Sequence, residues 1–236
     1  MVRNRASATT PLAAAVLVMA ALISSGHGVE AHSPLGPQKV AELPTSFERA
    51  LVDLCSPCVT EAYPVAALPV PPVKLPVPTR MTGGPPPRAG EIGFEVLRAY
   101  QLGRPERQFL AIRVTLSVAA GSGGEMYRLA VGLLDEAELP VLASTVAHIV
   151  QMAGVAPKDP GPASTEIDFQ GGSLRVGFIQ FRSDGVGYVQ AGDPAMLAIR
   201  PALEVPTALY LPISQLPALV AAIGRVTAKL KTLRGD

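Results

Sequence analysis

The chain has 236 residues, a formal net charge of +1, 48% hydrophobic residues, 5% aromatics and no tryptophan. Near-neutrality argues against a nucleic-acid partner, because neutralising phosphates supplies most of the affinity of such proteins. Scarce aromatics leave few platforms for stacking bases or sugars.

Arg3 and Arg5, an unbroken apolar run from Leu12 to Ile23, and Val29-Glu30-Ala31 before His32 have the form of a secretory signal peptide over residues 1–31. The apolar run is 12 residues long, whereas a bilayer span needs about 20. The sequence therefore predicts an exported protein, periplasmic or extracellular, with no membrane span after cleavage. Removing Arg3, Arg5 and Glu30 with the leader leaves 18 basic and 18 acidic side chains.

Thirteen of the 24 prolines lie between Pro34 and Pro87. Residues 32–89 read as a proline-rich tail, extended as polyproline II from Pro64 to Arg88. One helix over about 45–55 interrupts it. Thr45-Ser46-Phe47-Glu48 has the form of a capping box, and Phe47, Leu51 and Leu54 share a face that must dock on the main domain or on another chain to persist.

The folded domain is expected over residues 90–236. Leu110, Ile112, Val114, Leu116 and Val118 alternate with smaller or polar residues, the pattern of a half-buried strand. Strand-like stretches at 91–101 and 125–134 flank it, followed by a helix with Leu139, Leu142, Val146 and Ile149 on one face. After a Pro/Gly break, strands near 164–170, 173–182, 186–191 and 206–211 precede a second helix. Its stripe is Leu216, Leu219, Ile223, Val226, Leu230 and Leu233, with Ser214 placed to cap it. Arg225, Lys229, Lys231 and Arg234 gather toward its end, where cations suit the helix dipole.

Glu91-Ile92-x-Phe94 recurs as Glu166-Ile167-x-Phe169, and Leu139-Pro140-x-Leu142 as Leu216-Pro217-x-Leu219. These matches suggest two duplicated strand-strand-strand-helix halves, about 90–156 and 163–236. The expected fold is α+β: antiparallel sheets with both helices packed on one face. A tandem sheet-then-helix layout resembles the PUR and Whirly arrangement, which implies single-stranded nucleic-acid binding. Export, a neutral mature chain and few aromatics weigh against carrying that activity over.

Cys55 and Cys58 form a C-x-x-C pair that admits a structural disulfide, a redox centre or part of a metal site. Export favours the disulfide. A thioredoxin-type centre needs a helix starting at the pair, whereas here the helix ends there. Haem attachment would need His where Val59 stands, and tetrahedral zinc would need two further ligands. Cleavage after Ala31 would make His32 a mature N-terminus able to offer amine and imidazole to copper, with Cys55 and Cys58 completing a Cu(I) site; cleavage after Gly28 would remove that option. Otherwise no cofactor is expected.

Hydrolase chemistry would have to use His148 as base, without a G-x-S-x-G elbow. Glycosidase chemistry would need a facing pair among Glu91, Glu95, Glu166 and Asp168. Phosphate-loop motifs are missing from the sequence. The preferred reading is a non-enzymatic exported domain that binds a protein partner or itself. Its site would be the sheet face opposite the helices, where Arg113, Thr115 and Arg128 project.

Overall fold

The computed structural model describes residues 45–54, 57–73, 89–120, 125–155, 164–181, 184–192 and 208–235. The leader, its cleavage region, His32 and Cys55 lie outside them. The elements are α1 (Ser46–Leu54), β1 (Cys58–Val70), β2 (Gly90–Gln101), β3 (Arg104–Ala120), β4 (Glu125–Asp135), α2 (Leu139–Ala153), β5 (Ser164–Gly171), β6 (Leu174–Phe181), β7 (Gly185–Ala191), β8 (Ala208–Pro212) and α3 (Leu216–Arg234). They form two four-stranded antiparallel sheets in simple meander order, β1-β2-β3-β4 and β5-β6-β7-β8, each followed by a helix.

The first sheet has one strand more than the sequence pattern predicts. Residues 58–70 are not tail: β1 pairs along its length with β2, from Cys58 opposite Gln101 to Val70 opposite Gly90, and buries Leu68 and Val70. Its prolines are compatible with a strand because β1 is an edge, where a missing N–H costs no ladder bond if it faces outward. Pro64 also stands at a register shift that lets Val65 bulge out. Of the stretch read as polyproline II, residues 74–88 lie outside the described residues.

The helices change partners. α2 follows the first sheet but packs on β5 and β6 of the second, while α3 follows the second and packs on β1 and β2 of the first. The two helices also pack against each other. Leu142 and Val146 of α2 and Leu219, Ile223, Val226 and Leu230 of α3 join Ile92, Phe94, Val96 and Leu116 of the first sheet and Leu174, Val176 and Val189 of the second in one core. Neither half could bury its sheet without the other's helix.

Both helices open alike. A single 3-10 turn, Glu136–Glu138 or Ile213–Gln215, leads into Leu-Pro with the proline in the first helical turn, where its missing N–H is harmless. The Leu139-Pro140 and Leu216-Pro217 matches thus fall on equivalent positions. The Glu91 and Glu166 matches do not, since Glu91 lies in the second strand of its sheet and Glu166 in the first. Ser214 does not cap α3; it lies inside the 3-10 turn, and Gln215 holds the cap position.

A clamp joins the sheets at the β5–β6 turn. The Ser173 N–H donates to the Leu133 carbonyl (2.9 Å), and the Leu133 N–H donates to the Ser173 hydroxyl (2.7 Å). Gly172 has φ +50°, and a Cβ there would lie 2.1 Å from the Leu133 carbonyl oxygen, so only glycine fits. Next to it, a Cβ at Gly132 would meet the Ser173 carbonyl at 2.9 Å.

Candidate functional site

Alternation along β1–β4 gives the first sheet two unlike faces. The inner one meets α3; the outer one is partly covered by α1. Phe47 and Leu51 of α1 pack against Leu97, Ala99, Ala111 and Leu133, the docking their spacing predicts. The capping box forms as well: the Thr45 N–H donates to Glu48 (3.1 Å), and the Glu48 N–H to the Thr45 hydroxyl (3.1 Å). Asp135, from the end of β4, adds a second cap by accepting from the Ser46 and Phe47 amides (2.7 and 3.1 Å). Glu138 in turn accepts from the amides of Asp135 (2.9 Å) and Gly172 (3.3 Å), which ties α1 to the clamp between the sheets.

Beyond α1, the described residues of the outer face are half-buried or exposed. Arg113 sits opposite Leu133, Thr115 opposite Val131 and Ser117 opposite Arg128, so Arg113, Thr115 and Arg128 share this face as the sequence predicts. Arg113 and Thr115 are half-buried and Arg128 is exposed. Arg113 donates to Glu95, its cross-strand neighbour. Glu91, opposite Ser117, completes a set of two arginines and two glutamates placed by register on one face with Gly93, Thr115 and Ser117.

At one end of this face lies a cleft of about 560 Å³ between α1 and the start of β3. A register break creates it: Tyr100 pairs with Gln108 but Gln101 pairs with Arg104, so Pro105, Glu106 and Arg107 bulge away from the ladder. Ser46, Arg49, Ala50 and Asp53 form one wall, and Gln101, Arg104, Arg107 and Phe109 the other. Sequence reasoning missed this site, whose charged residues come from segments far apart in the chain.

Two polar clusters have structural explanations. On the inner face Glu61 accepts from the hydroxyls of Tyr63 and Tyr100 (3.1 Å for the latter) and pairs with Arg98, while Lys229 of α3 lies 4.3 Å from the Tyr63 ring centroid. The Tyr63 hydrogen bond, helped by Tyr100 and Arg98, holds the Glu61 carboxyl below its ordinary range. The same bond to Glu61 pushes the Tyr63 hydroxyl up, and burial does so for Tyr100. On the second sheet's outer face Arg175 bridges Asp168 (2.7 Å) and Glu166 (3.0 Å), and Tyr188 donates to Glu166 (2.6 Å). Burial works against the Arg175 charge, but the hydrogen bond to Asp168 and the surrounding negative charge outweigh it and raise its pKa. Burial, then the bond to Glu166, pushes Tyr188 far up. Burial alone takes Tyr210 to about 12.

The carboxylates considered for glycosidase chemistry are therefore divided: Glu95 is engaged by Arg113, and Glu166 and Asp168 by Arg175. His148 is exposed on α2. Cys58 opens β1 and α1 runs to Leu54, while Cys55 lies outside the described residues. Among the described residues, no group of three or more His, Cys, Asp or Glu side chains is placed to hold a metal ion, and no helix is long and apolar enough to cross a membrane.

Fold and faces together define a mixed α+β protein of two sheet-then-helix halves with exchanged helices. Compared with known proteins, the chain matches no family model and no curated protein.

Proposed function

We propose that this is an exported, non-enzymatic α+β protein that acts by binding protein, and that the outer face of the first sheet is where it does so, with a second copy of the chain as the occupant. The observation that carries this reading is the charge pattern of that face. Glu91, Glu95, Arg113 and Arg128 supply equal numbers of each sign on one sheet face, and a two-fold axis through such a face can set cation against carboxylate. Sedimentation equilibrium over a wide concentration range tests it. A dimer that the Arg113→Glu/Arg128→Glu double substitution converts to monomer supports the reading; a wild-type chain that stays monomeric rejects self-association and leaves a different protein partner.

Export and a closed Cys55–Cys58 disulfide belong to the same proposal. Intact-mass measurement of the secreted protein checks both. A mass two hydrogen atoms short of the reduced mature chain, without metal, supports them. A start at His32 with bound copper would favour the copper or thiol-redox alternative built on His32, Cys55 and Cys58.

A further inference from the structure

We infer that the cleft between α1 and the β3 bulge is a binding site for an oxyanion, a phosphate monoester or a carboxylate, carried on a small apolar body. Three arginines, Arg49, Arg104 and Arg107, line the cleft together with a single acidic residue, Asp53. About 560 Å³ is within the ordinary range for small-molecule sites. Arginine forks match the geometry of phosphate and carboxylate, binding them through paired, charge-assisted hydrogen bonds.

Two features narrow the ligand class. Phe109 lines the cleft and is 40% exposed, which offers an apolar wall next to the cations. Asp53 offsets part of the arginine charge and no other acidic or basic residue is among the described lining residues, so the cleft suits one anionic group and not a polyanion. A single anionic group with an apolar or aromatic portion satisfies both. The residues that line the site are distinct from Arg113 and Arg128, on which the self-association reading rests.

Titration of the full mature protein with phenyl phosphate, benzoate, inorganic phosphate and phenol, followed by NMR amide shifts, tests the proposal. Phenyl phosphate or benzoate is expected to shift amides of α1 and residues 101–109 and to bind more tightly than inorganic phosphate, with phenol not binding. Arg104→Ala/Arg107→Ala should weaken binding by about tenfold or more, as the loss of charge-assisted hydrogen bonds implies. Asp53→Asn should strengthen it a few-fold, as removal of a like charge at short range implies, and Arg128→Ala should leave it unchanged. Failure of both phenyl phosphate and benzoate to bind would overturn the inference, as would equal binding by the double variant or weaker binding by Asp53→Asn. Because Arg104 and Arg107 are exposed, these variants leave the core intact.

Discussion

The outer faces of the two sheets follow the same backbone plan and carry opposite chemistry. On the second sheet, Ile179, Val186 and Tyr188 are buried together against Phe181, Tyr210 and Val73, and Arg175 is held between two carboxylates with a side chain only 11% exposed. On the first sheet, Arg113 makes a similar cross-strand ion pair, but its side chain is 37% exposed and its neighbours are small. An ion pair shielded from water costs desolvation and must be kept complete; one in contact with water contributes little and is free to exchange partners. Of the two ion pairs, the one on the second sheet is the more shielded, and the one on the first sheet is the more accessible to water.

Removing Arg175 should break this contrast most forcefully. Arg175→Met leaves Glu166 and Asp168 facing each other without their cation and is expected to cost about 3 kcal/mol in urea unfolding at neutral pH. Gly172→Ala comes next, at roughly 2–3 kcal/mol, since it forces a left-handed backbone on a residue with a Cβ and drives that Cβ at the Leu133 carbonyl. Its effect should appear in hydrogen exchange as faster exchange at Leu133 and Ser173, where the clamp is made.

Tyr188→Phe sharpens the comparison through pH. The Tyr188 hydroxyl has a raised pKa in the folded protein, so its contribution is fully present below its unfolded value, near 10, and is lost as pH rises above that. Wild-type stability should therefore fall on the alkaline side, and Tyr188→Phe should flatten that limb while costing about 1 kcal/mol at neutral pH by deleting one hydrogen bond. Equal alkaline slopes in both proteins would show that Tyr188 is not the titrating group.

How far these features could be read from the sequence depends on how local their causes are. The Thr45–Glu48 capping box and the stripe from Leu216 to Leu230 were legible because their partners lie within one or two helical turns. The strand β1 was not, because Pro64 and Pro69 read as chain-breakers until β1 is known to be an edge. Asp135 as the second cap of α1 acts across 89 positions to Ser46, beyond any local pattern. Arg113 and Thr115 could be placed on one face from alternation alone, whereas Arg128 joins them through the register shift that skips Leu129. The cleft beside α1 could not, since it depends on where the β2–β3 ladder breaks register and on which face α1 docks.

The smallest effect is the most discriminating test of the first sheet's outer face. Arg113→Met removes an ion pair whose partners are 37% and 25% exposed, so screening by water limits the cost to under about 0.5 kcal/mol, against the several-fold larger loss expected for Arg175→Met. Methionine retains the apolar stem that lies along the sheet, which keeps lost packing from being mistaken for lost charge. If Arg113 is there to meet a second copy, this near-silent substitution in unfolding should still weaken dimerisation, and adding salt should weaken the wild-type dimer in the same direction. A stability loss matching that of Arg175→Met would mean that the two outer faces do the same structural job, and the distinction between a shielded and an accessible ion pair would fall.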